Sequence, residues 1–142
     1  MGDRQVVLEI EIDRPPERVF QALIEPDEVL QWWGSPDIYM VTAFALEPVE
    51  GGQWRLSATG FKGERFDVAG KILRYEPNRL LSFTWNPSWQ PMPETTVEFA
   101  LTPIPSGTRV QFRHTGFSRD LPGYETHLYG WPLVLNWLAG KA

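Results

Sequence analysis

At 142 residues the chain has the length of one domain, expected to span 1–142, and its seven Trp and eight Phe can fill a core or line a pocket. A formal charge of −5 with no basic run excludes a nucleic-acid partner, and the lack of Cys excludes disulfides, thiolate metal sites and a cysteine nucleophile. No stretch reaches the roughly 18 apolar residues of a membrane span and MGDRQVV holds no signal-peptide core, so a cytoplasmic protein without a metal or other cofactor is expected.

Gln5 to Asp13 alternates, with Val6, Leu8, Ile10 and Ile12 on one face and Glu9, Glu11 and Asp13 on the other, which predicts a half-buried strand. Asp13 is placed to cap the helix that follows, and the Pro15–Pro16 pair suits that helix's first turn. Val19, Phe20, Leu23 and Ile24 form the buried side of this helix, and Pro26 ends it. A second short helix is predicted over Asp27 to Trp33, with Gly34 as its stop.

Six further strands are predicted at hairpin spacing: 41–47, 53–59, 65–75, 80–85, 95–102 and 108–115. Gly51–Gly52, the 60–64 stretch, Glu76-Pro77-Asn78-Arg79 and Pro105-Ser106-Gly107 turn the chain between them, and a proline-rich loop occupies 86–94. With the first strand this makes a seven-stranded, largely antiparallel sheet. Leu121 to Ala142 then reads as a long helix whose apolar stripe is Tyr124, Leu128, Trp131, Leu135 and Leu138, with His127 and Val134 at its flanks. Pro132 predicts a kink or break near Gly130–Trp131, and Gly130 would let another backbone come close.

This order of elements is that of the helix-grip fold, an α+β architecture, and the chain resembles the START-like (SRPBCC) superfamily. Within it the sequence looks like bacterial homologues of the activator of the ninety-kilodalton heat-shock-protein ATPase. The matching residues are EIEIDRPPERVFQALIEPDEVLQWWG, the Gly51–Gly52 turn after Glu47-Pro48, FDVAGKILRYEPNRLLSFTW and the closing HLYGWPLVLNWLAG. The resemblance implies a sheet wrapped around the C-terminal helix, with a pocket between them. It implies no single activity, because the superfamily includes lipid carriers, cyclases, aromatases and receptors.

Alternation assigns the pocket wall strand by strand. Trp54, Leu56 and Ala58 share one side, followed by Phe66, Val68 and Ile72, then Leu81, Phe83 and Trp85. Val97, Phe99 and Leu101, then Val110, Phe112 and His114, complete it, with Tyr124, Leu128 and Trp131 contributed by the helix. The candidate ligand-binding residues are therefore Trp54, Phe66, Phe83, Trp85, Phe99, Phe112, His114, Tyr124, His127 and Trp131. Such a lining suits a small apolar or aromatic molecule, while the competing expectation is that the same side chains meet and fill the core.

His114 points inward by register and reads either as an acid or base or as a core histidine bonded to a backbone partner. Convergence of His114 and His127 on one space would favour a cyclase-, aromatase- or hydrolase-like enzyme. Arg74, in register with Ile72, is a candidate for one end of the pocket, and Asp67 reads as a surface charge. A third reading, a chaperone-linked interaction module, would use exposed aromatics such as Trp32 and Trp89. No catalytic triad, phosphate loop or dinucleotide fingerprint can be traced, so no catalytic residue is assigned.

Overall fold

The computed structural model describes residues 4–89, 94–117 and 121–141. Strand β1 (Val6–Ile12) leads into helices α1 (Pro16–Ile24) and α2 (Pro26–Trp32), and the strands β2 (Gly34–Ser35), β3 (Tyr39–Leu46), β4 (Gln53–Gly60), β5 (Arg65–Glu76), β6 (Leu80–Pro87), β7 (Thr95–Ile104) and β8 (Gly107–Thr115) follow. Helix α3 (Leu121–Lys141) completes the order. The strands form one antiparallel sheet in the order β1-β8-β7-β6-β5-β4-β3-β2. The architecture is the expected α+β arrangement, a curled sheet with a C-terminal helix, but with eight strands instead of seven. The added strand is the pair Gly34–Ser35, which follows α2 directly and bonds back to Met40 and Tyr39. Two residues are too short for alternation to reveal.

Local chemistry explains the helical start. Pro16 stands at the first turn of α1, where its missing N–H costs nothing. Asp13 does not cap this helix; the Pro15 carbonyl instead accepts from the Arg18 and Val19 amides. Glu25 lies between the two helices in extended conformation, as the residue before Pro26 must. Trp32 is 1% exposed and donates its indole N–H to the Ala22 carbonyl at 2.7 Å, which ties α2 to α1. It is therefore a core residue and not an exposed docking aromatic. Gly34, at φ +138°, meets the Tyr39 carbonyl so closely that a side chain has no room.

Most residues that alternation places inside the sheet are buried, among them Trp54, Leu56, Val68, Phe83, Phe99 and Phe112, while Leu8, Ile10 and Phe66 are half-buried. Arg74 departs from that pattern. The β5–β6 ladder shifts register between Ile72 and Arg74, and this bulge turns the Arg74 side chain outward. There it pairs with Glu76 and, at 3.9 Å, with Glu50, so it does not enter any pocket. Glu11 with Arg109 and Glu98 with Arg113, each at 3.3 Å, pair across strands on the outer face.

Helix α3 runs unbroken through Pro132. The proline is exposed, so the carbonyl that loses its amide partner one turn earlier can bond to water. Among the described residues nothing outside its own helix approaches Gly130, where an added Cβ would have no such atom within 4 Å. No helix among the described residues is long and apolar enough to cross a membrane. A tighter contact lies at Gly70, where any side chain would overlap the Thr84 carbonyl. Gly70→Ala should therefore lower stability by more than about 2 kcal/mol in urea unfolding; an unchanged midpoint would show that β5 and β6 are not this close.

Candidate functional site

A cavity of about 330 Å³ lies between α3 and one end of the curled sheet. Leu56 and Ala58 of β4, Phe66 and Val68 of β5 and Trp85 of β6 form its sheet wall. Thr126, His127, Gly130, Trp131 and Val134 present the facing side of α3, at the spacing of one helical stripe. Trp33 after α2, Tyr39 at the start of β3 and Trp89 after β6 close the remaining sides. None of these lining residues is Lys, Arg, Asp or Glu.

Helix and sheet are joined beside the cavity by two hydrogen bonds of the same kind. The Trp85 indole N–H on β6 donates to His127 Nε2 on α3 at 2.9 Å. The Trp131 indole N–H on α3 donates to His114 Nδ1 on β8, also at 2.9 Å. An indole nitrogen only donates, so both accepting imidazole nitrogens carry no proton. The second nitrogens must then hold the hydrogens: His127 Nδ1 faces the Gly123 carbonyl at 2.7 Å and His114 Nε2 faces the Thr95 hydroxyl at 2.7 Å. Both rings are thus held neutral in fixed tautomers, and their centroids stand 4.9 Å apart.

His114 is fully buried, and burial, with a smaller contribution from His127, lowers its pKa from the ordinary 6.5 to about 2. A proton on Nδ1 would also oppose the Trp131 N–H. Tyr39 supplies a different polar edge: its hydroxyl oxygen accepts from the Trp33 indole N–H at 3.2 Å. Burial raises this phenol above its ordinary 10.0, with the Trp33 bond acting in the opposite sense, so the hydroxyl stays neutral at physiological pH.

Trp89 is positioned from the outer surface. The Ser57 hydroxyl bonds the Asp67 carboxylate at 2.6 Å and holds it below its ordinary pKa. The Asp67 amide donates to Ser88 Oγ at 2.9 Å, and the Asp67 carbonyl accepts from the Ser88 amide at 2.8 Å. Asp67 thereby anchors the chain beside Trp89, whose ring stacks on His127 at 6.2 Å and meets the edge of Phe66 at 5.7 Å. Residues 90–93 of the proline-rich loop lie outside the described residues.

Of the ten candidate residues, Phe66, Trp85, His127 and Trp131 line the cavity. Trp54, Phe83, Phe99 and Phe112 pack into the adjoining core, with Trp54 against Phe83 at 4.5 Å and Phe112 against Trp131 at 4.4 Å. His114 stands behind Trp131, and Tyr124 packs on Phe117 with Arg4 over its ring. Sequence reasoning missed Tyr39, Thr126 and the cavity-facing side of Trp33, Gly130 and Val134. A usable signal existed in α3, where Thr126, Gly130 and Val134 repeat small or short side chains every fourth residue and so leave space.

Residues 13–140 match the family model described as "Activator of Hsp90 ATPase homolog 1-like protein". Protein MLL2253 from Mesorhizobium loti is 31% identical, with 97% of this chain and 96% of that one covered and a TM-score of 0.76. The AHSA1 protein from Silicibacter pomeroyi is 27% identical over 97% and 96% of the two chains, with a TM-score of 0.82. Protein CV1439 from Chromobacterium violaceum, at 22% identity and TM-score 0.83 over 96% and 94%, shares the fold. Among curated proteins none matches significantly.

The lowered His114 pKa gives a signed prediction. Below pH 6.5 the unfolded chain takes up a proton at this ring that the folded chain refuses. Stability contributed by the neutral ring is therefore complete above about 6.5 and falls by about 1.4 kcal/mol per pH unit as pH drops toward 2. Urea unfolding at pH 7 and pH 5 should show this slope in the wild type and a shallower one in His114→Gln. Equal slopes would contradict the buried neutral imidazole.

Proposed function

The chain belongs to the Activator of Hsp90 ATPase homolog 1-like family, and from that premise we propose that it binds a small hydrophobic or aromatic molecule between its sheet and α3. One observation carries this reading: the space of about 330 Å³ has almost wholly apolar walls, and four of its lining residues are tryptophans. Expelling water from such walls favours an apolar occupant, and flat rings gain further from contact with indole faces and edges. At ordinary packing density the space takes roughly 12 to 18 non-hydrogen atoms.

The two histidines support a holding role better than acid–base catalysis. They do converge, but each ring nitrogen is already bonded, and His114 does not reach the cavity wall. An interaction module built on exposed aromatics loses Trp32 to the core, while Trp89 stands in the cavity wall. The family description connects relatives with a heat-shock ATPase; for this chain the feature with a defined recognition geometry is the cavity.

Gly130 provides the test, because a side chain there projects into open space at the cavity wall. Gly130→Leu should bind the neutral reporter N-phenyl-1-naphthylamine at least roughly tenfold more weakly than the wild type, read from reporter fluorescence. Its thermal midpoint should hold or rise, since leucine is the better helix former by up to about 1 kcal/mol. A wild type that does not bind the reporter, or a Gly130→Leu variant that binds it equally well, contradicts the proposal.

A further inference from the structure

The polar atoms at the cavity wall are unequally occupied, and this difference carries information about the ligand. Three indole N–H groups beside the space are already committed: Trp33 to Tyr39, Trp85 to His127 and Trp131 to His114. Those bonds occupy three of the four indole donors that line the space, the fourth belonging to the partly solvent-exposed Trp89. The Tyr39 hydroxyl differs, because it uses its oxygen as an acceptor and retains its own hydrogen. Among the described residues no acceptor lies within hydrogen-bond reach of that hydrogen, and Tyr39 lines the cavity. The wall thus offers a neutral donor fixed by Trp33, in a space without Lys, Arg, Asp or Glu.

Two further features restrict the occupant. A charged group entering this space would leave water without meeting an opposite charge, at a cost that a neutral polar group avoids. The walls are also set as slabs. Trp85 and Trp131 lie 5.0 Å apart and tilted, Trp33 stands 6.0 Å from Trp131, and Trp89 stacks on His127. Such surfaces favour a flat conjugated ring system over a branched or flexible chain of equal volume.

We propose that the ligand is an uncharged, planar aromatic compound whose carbonyl or ether oxygen accepts a hydrogen bond from the Tyr39 hydroxyl. This assignment rests on the cavity being a binding site, and it adds the ligand's charge, shape and polar group. Tyr39 would act as the specificity-determining donor, with Trp33 as the positioning residue that fixes its hydroxyl.

Fluorene, 9-fluorenone and fluorene-9-carboxylate supply the test, titrated into the intact protein and followed by quenching of tryptophan fluorescence. The ketone should bind roughly 3- to 10-fold more tightly than the hydrocarbon and at least roughly tenfold more tightly than the carboxylate. Tyr39→Phe should bring the ratio of the fluorene and fluorenone dissociation constants to about one. Equal wild-type binding of ketone and hydrocarbon, equal binding of ketone and carboxylate, or an unchanged ratio in Tyr39→Phe overturns the assignment and leaves the cavity a binding site. The same holds if N-phenyl-1-naphthylamine binds and none of the three compounds does. Failure of all four compounds to bind removes the underlying reading and the assignment together. Because Tyr39→Phe deprives the Trp33 indole of its acceptor, the infrared carbonyl stretch of fluorenone bound to wild type gives a readout independent of that variant. A frequency below the value in alkane is expected, and an unshifted frequency overturns the hydrogen bond.

Discussion

Two indole-to-imidazole hydrogen bonds hold α3 across the sheet, and the cavity depends on where they hold it. One runs from a strand tryptophan to a helix histidine, Trp85 to His127, and the other from a helix tryptophan to a strand histidine, Trp131 to His114. Apolar packing alone is nondirectional and leaves a helix able to roll. Two directional bonds from residues four apart on α3 fix its rotation. With His127 and Trp131 pinned, Thr126, Gly130 and Val134 necessarily face the space beside them.

The network is stabilising only as a complete set. A buried hydrogen bond contributes about 1 kcal/mol net, whereas a buried donor left alone costs about 1–3 kcal/mol. Each member here finds a partner: Trp85 in His127, His127 in Gly123, Trp131 in His114, and His114 in Thr95. Neutral imidazoles are required throughout, since each must accept an indole N–H. The chemistry that would recommend these histidines as catalysts, a proton gained or lost near neutrality, is therefore what their setting suppresses at His114. Filling this region with bonded aromatics also keeps charge away from the adjoining cavity.

Much of the fold was legible because it follows local rules. Alternation placed most of the interior of β1 and of β4 to β8, Pro26 divided the helices and Gly34 followed the end of the second. Failures occurred where one residue changed the phase. The bulge after Ile72 turned Arg74 outward, and Gly34–Ser35 formed a strand too short to carry a pattern. Pro132 predicts a kink or a break, and the break does not occur: on the exposed side of α3 the carbonyl it leaves unpaired can be hydrated and the helix continues. The site was less legible. Register showed that His114 points inward, but its partners come from strands and a helix distant in sequence. The core stripe of α3 and its cavity stripe share Trp131 but differ elsewhere, so hydrophobicity favoured Tyr124 and Leu128 over Thr126 and Gly130. Space is left by small side chains, which an apolar pattern does not count.

The most direct measurement of the central claim is the nuclear magnetic resonance spectrum of the indole N–H groups, followed as a neutral aromatic compound is added. Seven signals are expected from the seven tryptophans. Saturable shifts should occur at Trp33, Trp85, Trp89 and Trp131, which line the cavity, while Trp32 and Trp54, buried elsewhere in the core, should hold their positions. Shifts that fail to saturate, or that spare Trp85 and Trp131, would contradict a ligand held between the sheet and α3.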